Sequence, residues 1–307
     1  MSDSTSAGSG DESSASVTAI RDWSPKGEGN LPLLRPGKFD SVFMCGPSGS
    51  GKTCMLAAWL RLVRATPPRR GGFDLVFAYS NNRNTLGVYE RLIPLQRGAD
   101  GRPRNLVHWE SAGPAHIDSI IAAQARRSAE GRPALRVLLI LDDVLSTSLR
   151  FRDEAAALTQ LYTNGRHSGV AVWLLSQTFS NSVPTAVTKN TQLSVFFRVR
   201  DARDKDAIVN GQVRGAISVE DIGTTRTSAG SLPTTELGLA RTAYSEATRE
   251  RGALVVDFRD DGGRAHLTLF RHRVSPKDVK KYDRAFARPV RAFGDAEDAT
   301  DSEESSS

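Results

Sequence analysis

Gly46-Pro47-Ser48-Gly49-Ser50-Gly51-Lys52-Thr53 decides the reading of this chain. The stretch satisfies the Walker A pattern, and it follows an apolar run, Phe39 to Cys45, and precedes an amphipathic stretch, Lys52 to Ala65, that Pro67 and Pro68 stop. Strand, glycine turn and helix are therefore predicted in the order a phosphate-binding loop requires. Glycines let successive backbone N–H groups turn toward phosphate oxygens without Cβ clashes, and the N-terminus of the following helix adds a favourable dipole. In such a loop Lys52 reaches the β and γ phosphates and the Thr53 hydroxyl ligates Mg2+. ATP with Mg2+ is thus the expected ligand, and Gly46, Pro47, Ser48, Gly49, Ser50, Gly51, Lys52 and Thr53 are expected to bind it.

Downstream, short apolar runs alternate with helix-like stretches, the arrangement that builds a helix-covered parallel sheet. A second strand is expected at Phe73 to Ser80, a helix around Thr85 to Leu92, a short extended piece at Leu106 to Trp109 and a helix at about Ala115 to Glu130. Val137 to Leu141 has no polar alternation, as in a strand buried on both faces, which places it at the sheet centre. A helix at Asp153 to Tyr162 and strands at Val170 to Ser176 and Leu193 to Val199 complete a doubly wound α/β core. Beyond it, residues 223–235 read as a long loop, and Leu254 to Phe258 with Leu267 to Arg271 flank Asp260-Asp261-Gly262-Gly263 as a β-hairpin. A basic amphipathic segment at about Pro276 to Phe286 follows. The organisation expected is an acidic, Ser-rich disordered tail over 1–30, an ATPase core over 31–205, a C-terminal extension over 206–290 and a second disordered acidic tail over 291–307.

Two carboxylates end the most buried strand. Asp142 sits where open α/β sheets place their ligands and suits a Mg2+ acid opposite Thr53. Asp143, facing the other side, suits a group that orients or deprotonates an attacking water, although a loop-starting or helix-capping Asp has the same spacing. Gln177 ends the fourth strand, where an amide senses a γ-phosphate or positions water, or else bonds its own loop. A small-molecule kinase has no need of the acid at 143, because its acceptor brings the nucleophile.

The 307 residues carry a net charge of +6, unevenly spread. Residues 1–22 hold one base against four acids and residues 291–307 one base against six, which leaves +14 on residues 23–290. A basic body between acidic tails permits a polyanionic partner. Arg264, Arg271, Arg273, Lys277, Lys280 and Lys281 are candidates to face it. Cys45 and Cys54 alone represent cysteine, which points to a reducing compartment, and both are expected to be buried, inert thiols, the other reading being thiols whose oxidation impairs nucleotide binding. No signal peptide is evident, and no apolar run approaches a membrane span, so an intracellular protein is expected.

The phosphate loop and its strand, Val137-Leu-Leu-Ile-Leu-Asp142-Asp143, Asn164-Gly-Arg166-His167-Ser-Gly-Val-Ala-Val and Ser176-Gln177 together resemble the poxvirus-type genome-packaging ATPases of large DNA viruses, a branch of the FtsK/HerA superfamily of P-loop NTPases. The resemblance covers about residues 38–200. It implies a central strand order of 5-1-4-3-2, a ring oligomer, often hexameric, and ATP-driven movement of double-stranded DNA into a preformed capsid within an infected cell, with capsid or portal proteins as further partners. It also implies that Lys52, Asp143 and Gln177 are catalytic, that Thr53 and Asp142 hold Mg2+, and that Arg166 stabilises charge across a subunit boundary, a role that competes with a structural bond to loop carbonyls. Many members have Glu where this chain has Asp143. His167 fits a hydrogen-bonded structural role. A translocase of a mobile element and a nucleotide-dependent regulatory module are the alternatives.

Overall fold

The computed structural model describes residues 20–28, 30–80, 83–93, 106–108, 114–147, 151–180, 183–216, 235–259, 268–273, 275–277 and 279–280. Residues 1–19 and 291–307 of the expected tails, the 223–234 part of the expected loop, the hairpin turn, Arg264 and Lys281 lie outside these residues. Residues 20–28 and 30, expected to be disordered, are instead part of the fold: Arg21–Asp22 pairs as a strand with Phe270–Arg271, and Trp23 is buried.

The strands are β1 (Arg21–Asp22), β2 (Val42–Cys45), β3 (Leu75–Ser80), β4 (Leu106–His108), β5 (Val137–Asp142), β6 (Val170–Ser176), β7 (Leu193–Phe197), β8 (Gly252–Asp257) and β9 (Thr268–Arg273). They form a single sheet in the order β1-β9-β8-β7-β2-β6-β5-β3-β4. The helices are α1 (Lys52–Ala65), α2 (Arg83–Leu92), α3 (Pro114–Ala129), α4 (Phe151–Asn164), α5 (Thr185–Asn190), α6 (Ala202–Ile208) and α7 (Glu236–Ala247).

From β7 to β4 every neighbouring pair is parallel. The sheet as a whole is mixed, which corrects the expectation of a parallel one. After β7 the chain passes through α6 and α7 and re-enters from the edge at which β7 leaves, so β8 pairs antiparallel to β7, with Phe197 opposite Ala253. β9 pairs antiparallel to β8, and Arg273 lies opposite Gly252. The hairpin strands are thus part of the main sheet. This topology brings the start of β8 and the end of β9 to the same sheet edge as the C-terminal ends of β2, β3, β5, β6 and β7.

Alternate residues along the central strands enter two separate cores. Phe43, Cys45, Leu139 and Leu141 face one, and Val42, Met44, Leu138 and Ile140 face the other. This is why the β5 run lacks polar alternation: both faces are covered. α1 covers the second core with Met55, Leu56, Trp59, Leu60 and Val63, a helical spacing that gives one apolar stripe. Trp59 packs edge-on to Trp173 at 5.8 Å between ring centroids.

Three core strands are shorter than expected: β3 begins at Leu75 rather than Phe73, and β2 and β7 are also cut short. β2 starts at Val42 because Phe39 is used otherwise, lying 4.5 Å beneath the Arg136 guanidinium. β7 stops at Phe197 because the Tyr244 hydroxyl intervenes, donating to the Phe197 carbonyl at 2.8 Å and accepting from the Val199 N–H at 2.9 Å. The fully buried Arg259 makes a two-pronged contact with Asp257 and donates to the carbonyls of Leu31 at 2.7 Å and Pro32 at 2.6 Å. It fastens the segment before β2 to the end of β8. Among the described residues no helix is long and apolar enough to cross a membrane.

Candidate active site

The phosphate loop leaves β2 at Gly46, whose N–H donates to the Ser176 carbonyl at 3.1 Å. A Cβ on Gly46 would lie 2.6 Å from that of Phe197, so β7 requires a glycine here. Gly49 and Gly51 adopt φ of +75° and +107°, the left-handed region glycine enters freely, and they turn the loop over the start of α1. The Lys52 ammonium donates to the carbonyls of Gly46 and Pro47. It is buried, and desolvation lowers its pKa, opposed by Asp142, Cys45 and Asp143.

Asp142, the last residue of β5, is also buried. Its carboxylate accepts a hydrogen bond from the Tyr89 hydroxyl of α2 at 2.6 Å. Burial pushes its pKa up to about 6 despite the opposing effects of Tyr89 and Lys52. Asp143 has a φ of +58°, a conformation that Asp tolerates better than most residues, and its N–H donates to the Leu175 carbonyl at 3.0 Å. The left-handed turn lifts its side chain out of the strand, where Oδ2 accepts from the Gln177 amide at 2.5 Å. The loop beyond Gln177 is fixed by Asp204, which accepts from the N–H groups of Phe179 at 3.1 Å and Ser180 at 2.7 Å.

These groups share one cavity of about 990 Å³, lined by residues 48–54 together with Asp142, Asp143 and Gln177. The residues present fit a nucleotide with Mg2+. The Ser50 hydroxyl is buried without a hydrogen-bond partner in the loop that would face phosphate, and Asp142 is a buried carboxylate whose raised pKa a divalent cation would reverse. Among the described residues no cluster of three His, Cys, Asp or Glu side chains is placed to hold a metal. The Thr53 hydroxyl and the Asp142 carboxylate, both lining the cavity, suit Mg2+, which is bound by one or two protein oxygens together with nucleotide phosphates and water.

No protein-family model matches the chain, and no curated protein matches its sequence. Solved structures do. The DNA-packaging ATPase from Sulfolobus Turreted Icosahedral Virus aligns at 13% identity and a TM-score of 0.51, over 77% of this chain and 98% of that one. The two chains share a fold. The genome-packaging NTPase from Sulfolobus turreted icosahedral virus 2 in complex with ATP-gammaS aligns at 13% identity and a TM-score of 0.48, over 78% of this chain and 98% of that one. ATPases 2 and 3 of EssC from Geobacillus thermodenitrificans align at 11% identity and a TM-score of 0.47, over 81% of this chain and 43% of that one.

Of the expected site residues, Gly46, Pro47 and Arg166 do not line this cavity, and Arg166 is remote from it. It is exposed in the turn Gly165–Ser168, just ahead of β6, with its Nε 3.4 Å from His167 Nε2. Gln177 follows the far end of that strand, about 20 Å away at ~3.3 Å per residue. Conversely, Tyr89, Glu250, Arg251, Arg273 and Lys280 border the site without having been anticipated there. Glu250 and Arg251 hold consecutive left-handed conformations, φ +51° and +62°, and Glu250 pairs with Arg273 at 2.9 Å. A Gly or Asn would have signalled such a turn in the sequence, and neither is present.

Proposed function

We propose that this chain is an ATP-hydrolysing motor of the FtsK/HerA type that moves double-stranded viral DNA into preformed capsids. The observation that carries the reading is the convergence of the Lys52 loop, Asp142, Asp143 and Gln177 on one cavity at one sheet edge. Thr53 and Asp142 would hold Mg2+, which when bound would supply charge neutralisation to the phosphates. Lys52 leaves the carbonyls of Gly46 and Pro47 for the phosphate oxygens. Asp143 accepts the proton of the attacking water, and Gln177 orients the Asp143 carboxylate and that water. A kinase that phosphorylates a small molecule has no use for this pair.

The separation of Arg166 from the cavity favours a ring, in which a guanidinium from one subunit completes the neighbour's site. Duplex DNA, further copies of the chain and a capsid or portal protein are the partners, and the assembly site of an infected cell is the location. The poxvirus-type branch rests on the sequence resemblance of residues 38–200.

ATPase rates with and without long duplex DNA, for the wild type, Lys52→Ala and Asp143→Asn, test the proposal. Marked stimulation by DNA that both variants lose supports it. A rate indifferent to DNA removes translocation, and a rate that survives Asp143→Asn removes the catalytic assignment.

A further inference from the structure

Of the four described cations singled out from the sequence, Arg271, Arg273, Lys277 and Lys280, two are ion-paired. Arg271 pairs with Asp22 at 3.0 Å, Arg273 pairs with Glu250 at 2.9 Å, and Lys280 borders the nucleotide cavity. A different basic group lies next to the phosphate loop. Arg198 and Arg200 follow β7, Lys205 lies on α6, and Arg249 and Arg251 sit between α7 and β8. The four arginines are exposed, and among the described residues none of the five cations is ion-paired with an acid.

Two concavities collect them. One of about 490 Å³ runs from the outer side of Pro47–Ser50 to Arg198, Arg200 and Arg251. The other, about 450 Å³, continues from Arg198 and Arg200 to Lys205 and Arg249. Shared walls make them one trough. Ser48, Gly49, Ser50, Arg251 and the Arg273-paired Glu250 also line the nucleotide cavity, so the phosphate loop and the Glu250–Arg251 turn together divide the two.

We propose that this trough binds the phosphodiester backbone of DNA, an inference that rests on the reading of the protein as a DNA motor. Four of its five cations are arginines, whose planar donors match phosphate oxygens in pairs. The lining supplies no apolar centre of the kind a protein partner requires: Val199 and Tyr244 are buried and Pro47 is half-buried. Protein–DNA contacts, by contrast, are polar and strongly positive. With nucleotide on one side of the Ser48–Ser50 wall and DNA on the other, a movement of the loop on hydrolysis alters the grip on DNA, and by linkage DNA alters nucleotide affinity.

The test is fluorescence anisotropy of a labelled duplex titrated with full-length protein at several salt concentrations, comparing wild type, Arg200→Gln/Arg249→Gln and the control Arg64→Gln/Arg126→Gln. The control pair is exposed and lies outside the trough. Each lost phosphate contact lowers the slope of log K against log salt by about 0.9, so the trough variant should lose about 2 from the slope while melting as the wild type does. The control should retain the wild-type slope. A trough variant with wild-type affinity and slope overturns the inference and leaves the DNA reading standing. Absence of duplex binding by the wild type overturns both. If light scattering shows that the trough variant loses self-association while keeping its DNA affinity, the trough belongs to a neighbouring copy and the inference fails.

Discussion

The Gln177 side-chain amide donates to the Asp143 carboxylate at 2.5 Å, joining the ends of β5 and β6 across the mouth of the nucleotide cavity. Because Asp143 holds a φ of +58°, its replacement has to be chosen with the backbone in mind. Asn tolerates that conformation and removes only the charge. Asp143→Asn is expected to lower kcat by about 10²–10⁴. Gln177→Ala, which leaves the base present but unoriented, should cost about 10- to 100-fold, or ~1.4–2.7 kcal/mol of barrier. Steady-state kinetics should show KM changing far less than kcat in both, the pattern of a contact that matters at the transition state.

Two glycines of one loop should respond differently to the same substitution. Around Gly49 a new Cβ meets nothing within 4 Å, so Gly49→Ala carries only left-handed backbone strain, about 1 kcal/mol. At Gly46 the Cβ would sit 2.6 Å from that of Phe197, and Gly46→Ala must push β2 from β7 at the point where the loop begins. Its cost is expected at about 1–3 kcal/mol together with loss of nucleotide affinity. Thermal melts and binding of a non-hydrolysable ATP analogue check the contrast.

The buried Asp142 should show itself through pH. Its pKa in the folded chain is raised from 3.8 to about 6, so the folded state holds the proton more tightly than the unfolded one. The cost of burying the ionised form is complete above about pH 6 and disappears as pH falls toward 3.8. Asp142→Asn should therefore stabilise the nucleotide-free protein at pH 8, by about 1–3 kcal/mol, and by less at pH 5. Denaturant melts at the two pH values measure the difference, and Mg2+-nucleotide should stabilise the wild type but not this variant.

Some of this was legible in the residues and some was not. The phosphate loop and the β5 carboxylates announce themselves because backbone chemistry demands those residue types at that spacing. The unalternating Val137–Leu141 run announced burial on both faces, which the two cores confirm. Side chains that act across the fold left no such mark. Tyr89 reaches Asp142 from a helix 53 residues earlier. Arg251 reaches the phosphate loop because β8 reverses direction, and neither the antiparallel pairing nor the left-handed turn at Glu250 is written in local periodicity.

Thiol reactivity separates the two cysteines that bracket the loop. Cys45 is buried in β2 and its pKa is pushed up to about 12, chiefly by desolvation, so it should resist iodoacetamide at pH 8. Cys54, expected to be buried and inert, is instead half-buried and borders the nucleotide cavity. Mass spectrometry should find adducts on Cys54 alone, formed more slowly when ATP is present.

Arg259 offers a stability test remote from chemistry. Arg259→Ala leaves Asp257 buried without its partner and releases the Leu31 and Pro32 carbonyls, and about 3–5 kcal/mol should be lost. Arg271→Ala, which removes an exposed pair with Asp22, should cost no more than about 1 kcal/mol. Denaturant titrations report both.

The central place of β2 also dictates the order in which a newly made chain becomes competent. β2 ends at Cys45, yet its two neighbours are β6, ending at Ser176, and β7, ending at Phe197. While residues 46–165 emerge from the ribosome, the strand that carries the phosphate loop has neither partner. β8, on the far side of β7, arrives only at Gly252–Asp257. Nucleotide binding is thereby tied to the synthesis of β6 and β7, and nascent chains halted before residue 170 should bind no nucleotide, however intact their Lys52 loop.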